Sequence, residues 1–404
     1  MLIRGMGGRE MSCSCHHKKQ CRFTSHICVM RRKRSNPFTR HASANDQPHV
    51  LGQARTRVVA VGEALFDLIA DQKGLPRNKV KSWTPFAGGA ICNVATAIGR
   101  LGMDVVFVTA MGKDERGDQL LELLKKSGVK THGVQRRDEP TRDVYVVQDS
   151  KGDREFAGFG LPSEQYSDCY LDEQLLPLED TKTSAVLVTG TLALAHPQAR
   201  NALKRAVQVA REGNSKVFVD VNWRDVFWTD HDEAKRIIID YLQQADLLKV
   251  SDADLKWLLG IDLSTAFINP CLVSEAFPNT SGILVTAGDE GAAYCFRSPS
   301  KVEHSGYIPS FKVKVQETTG AGDAFTAGFI YKLIEDNTCY YYLLQQAGNL
   351  DALAADSTKL KEAIVFASAA GALTCTKKGA IDAQPTLDEV MQLFGTSKEW
   401  YNFW

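Results

Sequence analysis

The sequence predicts an α/β fold in three layers, α/β/α, with helices on both faces of a mainly parallel central sheet. From Arg57 onward, short apolar runs alternate with longer amphipathic stretches, as they do when strands and helices alternate along a chain. The apolar runs are continuous, which is typical of strands buried on both faces. Five of them are VVAV (58–61), AVLVTG (185–190), KVFVDVN (216–222), LLKVS (247–251) and ILVTAG (283–288).

A polar residue or a glycine stands at or near the end of the predicted strands. In open α/β sheets, ligands bind outside the carboxyl ends of the strands, where such residues meet. The residues expected near this edge are Asp67, Gly190, Asp220, Asn222, Ser251 and Gly288. The sequence therefore predicts one ligand site along one edge of the sheet.

A helix is predicted within GGAICNVATAIGRLG (88–102). Its apolar residues follow the spacing of one helical face, and they are Val94, Ala97, Ile98 and Leu101. Gly102 is suited to end the helix, because glycine readily adopts the left-handed conformation that often follows a last turn. We expect this helix to pack on the sheet.

Two segments depart from the alternation of strands and helices. Residues 68–86 and 142–160 have the composition of short strands and turns, and the second is predicted as a hairpin around the SKGD turn at 150–153. We expect them to form a small β-sheet that covers the ligand site as a lid. A polar loop is predicted from about Asn337 to Asp356.

The first part of the chain, residues 1–55, differs in composition from the rest. Between Met1 and Val50 the acids are Glu10 and Asp46, whereas basic residues are frequent and include an RRKR run at 31–34. An acid-poor, Arg-rich and Ser-containing N-terminus is typical of an organelle transit peptide. The alternatives are a disordered basic tail, a nuclear signal or a patch for an anionic surface. The folded domain is expected over residues 56–396, with a C-terminal tail at 397–404.

Composition argues against two classes of protein. A formal net charge of +0 disfavours a nucleic-acid partner, and no segment approaches the roughly 18 apolar residues of a membrane span. Of the cysteines, Cys13, Cys15, Cys21 and Cys28 lie in the basic leader. The others are far apart in sequence and are predicted to be reduced thiols: Cys92, Cys169, Cys271, Cys295, Cys339 and Cys375.

The strongest local signal is TTGAGD, residues 318–323. It follows FKVKV (311–315), which alternates like a half-exposed strand, and it precedes a stretch with apolar residues on one helical face. A glycine turn before a helix leaves the first N–H groups of that helix available to phosphate oxygens. Asp323 falls in the first turn, where a carboxylate is also stabilised by the helix dipole without any function. On these residues alone, both interpretations stay open.

Other phosphate-binding motifs are excluded. A dinucleotide-binding G-x-G-x-x-G fails because Phe325 occupies the third glycine position, and G-x-x-x-x-G-K-[ST] does not occur in the chain. Protein-kinase signatures are absent as well.

A wider resemblance appears when GAGD is taken together with six other segments. They are GEALFD (62–67), GGAICNVA (88–95), DVNWRDVFW (220–228), KVSDAD (249–254), VTAGDEG (285–291) and ALTCTKKGAI (372–381). In this order and spacing the chain resembles the PfkB-type carbohydrate kinases of the ribokinase superfamily, and most closely the fructokinases of cyanobacteria and plastids. The resemblance covers nearly all of Arg57 to Phe394, and it implies a ribokinase-like fold.

The resemblance also implies a role for individual residues. The positions that match the sugar site are Asp67, Gly88, Gly89, Asn93 and Arg142. The positions that match the nucleotide and phosphate site are Asn222, Arg224, Ser251, Thr286, Gly288 and Gly291. Gly320, Ala321 and Gly322 would form an anion hole, with Asp323 as the general base.

Metal ions are implied in the same way. Asp254 matches the acid that holds a magnesium-bound water in relatives, so Mg²⁺ is expected with ATP. The backbone near Glu317, Thr319 and TKKGA (376–380) resembles a monovalent-cation site, which implies K⁺.

Four features depart from the usual fructokinase pattern. Ile91 and Cys92 stand where Pro and Ala are usual, and Val221 replaces the proline of D-P-N. Asp254 replaces Glu, and Glu317 replaces Asp. None removes a reacting group, but Ile91 is bulky enough to reshape the sugar pocket.

The leading hypothesis is therefore an ATP-dependent fructokinase of the plastid type that makes fructose 6-phosphate, with the cytoplasm as the alternative location. A kinase for another sugar, for a sugar acid such as 2-keto-3-deoxygluconate, or for a nucleoside is the nearest alternative. A plastid kinase-like scaffold without catalysis is the third. A monomer or a homodimer is compatible with the sequence.

Overall fold

The apolar runs of the sequence form strands in the computed structural model, which describes residues 55–150, 154–300, 302–340 and 349–397. The predicted leader and C-terminal tail lie outside these residues, apart from Arg55 and Ser397. The strands are β1 (Val58–Val61), β2 (Leu65–Ala70), β3 (Trp83–Gly88), β4 (Val105–Gly112), β5 (Lys130–Arg137), β6 (Asp143–Gln148), β7 (Arg154–Phe159), β8 (Val186–Gly190), β9 (Lys216–Asp220), β10 (Leu247–Ser251), β11 (Gly282–Thr286), β12 (Ala292–Arg297) and β13 (Glu303–Ile308).

Nine strands of the described chain form one sheet, in the order β13-β12-β11-β10-β9-β8-β1-β4-β5. All neighbours from β5 to β11 are parallel, and β11, β12 and β13 are antiparallel. The five strands predicted from apolar runs are present. The runs at 216–222 and 283–288 extend beyond their strands, because β9 ends at Asp220 and β11 at Thr286.

Twelve helices surround the strands in the described residues. They are α1 (Ala90–Arg100), α2 (Glu115–Lys126), α3 (Leu178–Thr183), α4 (Pro197–Glu212), α5 (His231–Leu242), α6 (Asp252–Leu259), α7 (Leu263–Ile268), α8 (Cys271–Ala276), α9 (Ala321–Tyr340), α10 (Asn349–Ala355), α11 (Ser357–Thr374) and α12 (Leu387–Thr396). After α1, Gly102 has φ +83°, which confirms it as the residue that ends this helix.

The central sheet is buried on both faces. In β1, Val58 and Ala60 pack into a core with α1, α2 and α9 to α12, whereas Val59 and Val61 pack into a second core with α4 to α8. Successive side chains of a strand point to opposite faces, so a continuous apolar run is what two covered faces require. The predicted three-layer α/β/α architecture with a mainly parallel sheet is confirmed.

A separate four-stranded sheet has the order β3-β2-β6-β7. Strand β2 pairs antiparallel with β3 and parallel with β6, and β6 pairs antiparallel with β7. Its inner face packs Leu65, Ile69, Val144 and Val146 against Leu192 and Phe227. The predicted small lid sheet is confirmed. Residues 151–153 of the predicted SKGD turn lie outside the described residues.

One local prediction was wrong, and a second applies to fewer residues than expected. The FKVKV segment (311–315) is not a strand, and the edge strand β13 ends before it, at Ile308. The polar loop predicted at 337–356 is helical at both ends, because α9 continues to Tyr340 and α10 spans Asn349–Ala355. Residues 341–348, in the middle of that predicted loop, lie outside the described residues.

The prediction of reduced cysteines was wrong for one pair. Cys271, at the start of α8, and Cys295, in β12, form a disulfide with Cα atoms 5.2 Å apart. Their strand and helix are neighbours in space although the cysteines are 24 residues apart in sequence. Cys92, Cys169 and Cys375 are free thiols, and the Cys339 side chain lies outside the described part. None of the described helices is both long and apolar enough to cross a membrane.

Candidate active site

A cavity of about 410 Å³ lies between the lid sheet and the carboxyl ends of the central strands. Asp220, Ser251 and Thr286 are the last residues of β9, β10 and β11, and all three line it. Three adjacent parallel strands thus end at one ligand site, as the sequence predicts for an α/β sheet. The other predicted site residues on the cavity wall are Asp67, Gly89, Asn93, Asn222, Arg224, Asp254, Gly320, Gly322 and Asp323.

The GAGD turn enters the cavity at the start of α9. Gly320 has φ +81°, and a Cβ atom there would lie 2.8 Å from the main-chain oxygen of Ala380, so only glycine fits. Gly322 and Asp323 follow in the first helical turn, where N–H groups have no partner within the helix. Ala321, predicted with them, does not line the cavity, and its N–H donates to the main-chain oxygen of Thr318 at 3.2 Å.

Asp323 is a carboxylate with altered acidity. The pKa of Asp323 is raised from the usual 3.8 to about 6, mainly by burial and in addition by the nearby charge of Asp220. Lys249, a hydrogen bond from Asn93 and the charge of Arg224 act in the opposite direction. The result is a group that is mostly ionised at neutral pH and yet more basic than an exposed aspartate.

Asn93, in the first turn of α1, is the direct neighbour of this carboxylate. Its Nδ2 donates to Oδ2 of Asp323 at 2.8 Å. The main-chain oxygen of Asn93 accepts from Nε2 of Gln384 at 2.7 Å. The Oδ1 atom of Asn93 is buried and has no hydrogen-bond partner among the described residues. A buried acceptor without a partner costs free energy, so this oxygen is a candidate to accept a hydrogen bond from a bound hydroxyl.

Asp67 contributes a second carboxylate from the lid. It lies on β2, opposite Phe86 of β3, and lines the cavity. Gly88 stands behind it, since a Cβ atom at Gly88 would lie 3.0 Å from Oδ2 of Asp67. Gly88 itself does not line the cavity, whereas Gly89, the residue before α1, does.

Arg142 is not on the cavity wall, so the structure does not bring it to the predicted sugar site. Its side chain is 0% exposed, and its guanidinium donates to both carboxylate oxygens of Asp168, at 2.7 and 2.9 Å. It also donates to Oγ and the main-chain oxygen of Ser163, both at 2.9 Å. The rings within 5.0 Å of its Cζ are Phe159, Tyr166 and Phe227. Because every side of the guanidinium is occupied, we assign Arg142 to the base of the lid.

The loop after β9 lines the phosphate side of the predicted site. Asn222 adopts φ +45°, and both it and Arg224 reach the cavity wall. Nη1 of Arg224 donates to the main-chain oxygen of Trp223 at 2.7 Å, and its Cζ lies 5.4 Å from the ring of Phe156 on β7. Arg224 therefore connects the central sheet with the lid across the cavity. Gly288 and Gly291 lie in the turn after β11 and, like Gly190, do not line the cavity.

Asp254 is held at the start of α6 by a capping box with Ser251. Its carboxylate accepts from the N–H of Trp223 at 2.7 Å and from the N–H and Oγ of Ser251 at 2.8 and 2.7 Å. Three donors already use most of its oxygen lone pairs. The group is therefore better suited to orient a water of a hydrated Mg²⁺ than to bind the ion directly.

The other potential metal ligands among the described residues also argue against direct binding of Mg²⁺ by the protein. Among the described residues, the group of His, Cys, Asp and Glu close enough to hold a metal is Cys271, Cys295 and Glu303, and its cysteines form the disulfide. The cavity offers a carboxylate and the glycine turn that is predicted to bind phosphate, which fits an ion bound mainly through phosphate and water oxygens. Oε2 of Glu317 accepts from the N–H of Gly379 at 3.2 Å, so the two segments predicted for a monovalent cation are adjacent.

The sequence analysis missed Lys249 and its pairing with Asp220. Nζ of Lys249 in β10 donates to both oxygens of Asp220 in β9, at 2.8 and 2.9 Å, and both residues line the cavity. They are direct partners in the strand register. Oγ1 of Thr326 in α9 adds a third bond to Asp220, at 2.8 Å. The available signal was a lysine inside an otherwise apolar strand, which needs a buried acid as partner.

Three of the residues that depart from the usual fructokinase pattern lie in the core. Ile91, Cys92 and Val221 are each 0% exposed and do not line the cavity. Ile91 instead fills the space beside Gly62 and Gly190. These substitutions therefore alter packing behind the site, and the cavity wall keeps Asp67 and Asn93.

Comparisons with known proteins agree with this geometry. The family described as pfkB family carbohydrate kinase matches residues 55–387. Fructokinase-1 of Zea mays is 35% identical over 346 residues, which cover 85% of this chain and 99% of the maize protein. Fructokinase-2 of Solanum lycopersicum is 33% identical over 337 residues, covering 83% of this chain and 95% of the tomato protein.

Two solved structures share the fold of this chain. The fructokinase of Xylella fastidiosa with bound ATP is 26% identical, has a TM-score of 0.72, and is matched over 98% of its length and 84% of this chain. A putative ribokinase II of E. coli, at 22% identity and a TM-score of 0.68, shares the fold over 99% of its length and 84% of this chain.

Proposed function

The chain belongs to the pfkB family of carbohydrate kinases and is an ATP-dependent sugar kinase; we propose that its acceptor is fructose and its general base Asp323. In this reaction a primary hydroxyl of fructose attacks the γ-phosphorus of ATP, the bond to the β,γ-bridging oxygen breaks, and fructose 6-phosphate, ADP and a proton result. The observation that carries the assignment is the position of Asp323. It lines the same cavity as Asp67, accepts a hydrogen bond from Asn93, and directly follows the glycine turn that opens α9.

The sugar would be held by groups that accept hydrogen bonds. The carboxylate of Asp67 accepts from two hydroxyls, and the unpartnered Oδ1 of Asn93 accepts from another. Apolar side chains of the lid, Val144 and Val146, close the same wall. A wall with two acceptor groups suits the hydroxyls of a neutral polyol.

Asp323 would accept the proton of the attacking hydroxyl. Its raised pKa, about 6, improves proton transfer while leaving most of the group ionised at pH 7. The hydrogen bond from Asn93 fixes one carboxylate oxygen, so the other is directed to the substrate. Positioning matters here because phosphoryl transfer needs aligned oxygens more than covalent help.

The phosphate groups would lie at the opposite end of the cavity. The N–H groups of Gly320 and Gly322 face them from the start of α9, and Asn222 and Arg224 face them from the loop after β9. Ser251 and Thr286 would border the nucleotide. Mg²⁺, oriented through water on Asp254, would supply charge neutralisation of the β- and γ-phosphates, and K⁺ is proposed near Glu317.

Competing acceptors have less support. The sugar-acid alternative needs a cation aimed at the carboxylate of the substrate, and the sequence offers Arg142 and Arg154. The charge of Arg142 is taken up by Asp168, and the side chain of Arg154 lies outside the described part of the structure. A non-catalytic scaffold would not need Asn93, Asp323 and the glycine turn held together with hydrogen-bond geometry.

We also propose that the protein resides in plastids, with the cytoplasm as the alternative. The support is the acid-poor, basic leader, which precedes the start of the family match at residue 55. A fluorescent protein fused after residue 55 should enter plastids, and fusion to residues 56–404 alone should not. Diffuse signal from both fusions would favour the cytoplasm.

The activity is tested with the full-length protein, ATP and a panel of fructose, glucose, ribose, 2-keto-3-deoxygluconate and a nucleoside. ADP formation should be fastest with fructose. 6-Deoxyfructose, which lacks the accepting hydroxyl, should give none, whereas 1-deoxyfructose should react. Preference for another acceptor would replace fructose, and absence of turnover with all of them would favour the scaffold.

A further inference from the structure

The Asp220–Lys249 pair lies next to Asp323 and the glycine turn. Lys249 is 5% exposed and Asp220 1% exposed, yet both border the cavity. Burial by itself lowers the pKa of the Lys249 ammonium, but Asp220, and after it Asp323, raise that pKa. The lysine is therefore a fixed, buried positive charge.

The pair is held rigidly by three elements. Nζ of Lys249 donates to both oxygens of Asp220, and Thr326 of α9 donates to Oδ2 of Asp220 at 2.8 Å. Thr326 is one helical turn from Gly322, whose main-chain oxygen it also contacts at 3.2 Å. The strands β9 and β10 and the helix that carries Asp323 are thus joined at one carboxylate.

The lysine also comes close to the turn itself. A Cβ atom at Gly322 would lie 3.2 Å from Nζ of Lys249. A glycine at this position allows the ammonium to approach the backbone that is expected to face the γ-phosphate.

The charge of Lys249 matters because of what approaches Asp323 during the reaction. The phosphates of ATP bring several negative charges to the same cavity, and like charges favour the protonated form of a carboxylate. A protonated Asp323 cannot accept the hydroxyl proton. We propose that Lys249, held by Asp220, is a positioning residue that keeps Asp323 ionised when the phosphates of ATP are bound. This inference rests on the proposed role of Asp323 as the base.

Asp323 has other charged groups around it. Arg224 is a further cation, in the loop after β9, and acts in the same direction as Lys249. The acids at or near the site are Asp67 on the lid, Asp254 on α6 and Glu63 after β1, and the nearest thiol is Cys92 on α1. The pKa of Cys92 is raised by burial, so this thiol stays neutral. Lys249 differs from Arg224 in being buried and bound to a carboxylate on both oxygens.

The test compares the acid limb of the pH profile of kcat/KM in three variants. Lys249→Met should move this limb to higher pH by about one unit, with a larger loss in kcat than in KM and with recovery at alkaline pH. Asp220→Asn removes a repelling charge and should move it to lower pH. Removing both charges in Lys249→Met/Asp220→Asn should return it close to the wild-type position. Lys249→Arg should retain most of the wild-type profile.

The double variant also separates the proposed effect from misfolding. Removing one member of a buried pair destabilises a protein strongly, whereas removing both is often tolerated. If all variants lost activity equally with an unchanged acid limb, the proposal would be wrong and the pair would be structural.

A second readout does not depend on turnover. Binding of a non-hydrolysable ATP analogue, followed by calorimetry in buffers of different ionisation enthalpy, reports the protons taken up. At pH 7 the Lys249→Met variant should take up more protons than the wild type, and the added Asp323→Asn change should abolish the difference. Equal uptake with and without Lys249 would overturn the proposal. Absence of fructose turnover in a wild type that shows the difference would count against the proposed substrate alone.

Discussion

Nδ2 of Asn93 donates a hydrogen bond of 2.8 Å to Oδ2 of Asp323, although the two residues are 230 positions apart in sequence. The bond joins the first turn of α1 to the first turn of α9. Two helix N-termini therefore converge on one carboxylate, next to the cavity. The chemistry proposed for Asp323 depends on this convergence, and it leads to the first prediction.

Asp323→Asn should lower kcat with fructose by about 10²- to 10⁴-fold, because the amide cannot accept the proton. Affinity for ATP should change little. Asp232→Asn is a matched control, since Asp232 is also an aspartate in a first helical turn but is exposed on α5. Steady-state kinetics and ATP titrations measure both. A variant at position 323 with near-normal kcat would refute the assignment of the base.

The pH dependence follows from the pKa of Asp323, which is about 6. The active form is the carboxylate, so kcat/KM should be level above this pH and fall about tenfold for each unit below it. The affinity for ATP, measured without fructose, should not show this fall below pH 6. Rate measurements from pH 5 to 8.5 in a constant-ionic-strength buffer series provide the check, and an activity that rises below pH 6 would contradict it.

Glu63 should make the stability of the fold depend on pH. It is 2% exposed, and its Oε2 has no hydrogen-bond partner among the described residues. Burial raises its pKa from 4.5 to about 7, against the effect of nearby backbone N–H groups. Between these two values the folded chain keeps a proton that the unfolded chain has lost. Stability therefore falls as pH rises through this window, by roughly 3 kcal/mol in total.

Glu63→Gln should remove this dependence. The variant should be more stable than the wild type at pH 8 and similar to it at pH 4.5, as measured by denaturant unfolding. The comparison variant is Glu275→Gln, at an exposed position on α8, and its pH dependence should match that of the wild type. A wild type whose stability does not fall between pH 5 and 7 would contradict the assignment.

Arg142→Met tests the assignment of Arg142 to the base of the lid. Loss of the guanidinium leaves the Asp168 carboxylate, only 8% exposed, without its partner, which should destabilise the protein by about 3 kcal/mol or more. The added change Asp168→Asn should recover part of this loss. Thermal unfolding measures both variants. A higher KM for fructose with unchanged stability would instead support the sugar contact predicted from the sequence.

The parts of the fold that could be predicted were those set by local pattern. Continuous apolar runs marked β1, β8, β9, β10 and β11, because a strand covered on both faces has no polar side to show. The FKVKV segment has the right alternation for a strand. However, alternation cannot reveal whether a neighbouring strand is present, and β13 already forms the sheet edge before it.

Within the site, sequence motifs located residues but not their partners. Arg142 lies at a motif position, and only the folded chain shows that Asp168, 26 residues away, occupies its guanidinium. Lys249 and Asp220 are on strands that pair in register, so their contact is a property of the sheet. The disulfide between Cys271 and Cys295 depends in the same way on how α8 packs beside β12.

The route of the chain from β1 to β2 has a consequence for selectivity. Only Gly62, Glu63 and Ala64 separate the central sheet from the lid strand that carries Asp67. The group proposed to recognise the sugar is thus part of the cover over the cavity. A sugar that binds Asp67 fastens the lid by the same hydrogen bonds, whereas a water molecule near the γ-phosphate cannot do so. The same hydrogen bonds then serve both to recognise the acceptor and to protect ATP from hydrolysis.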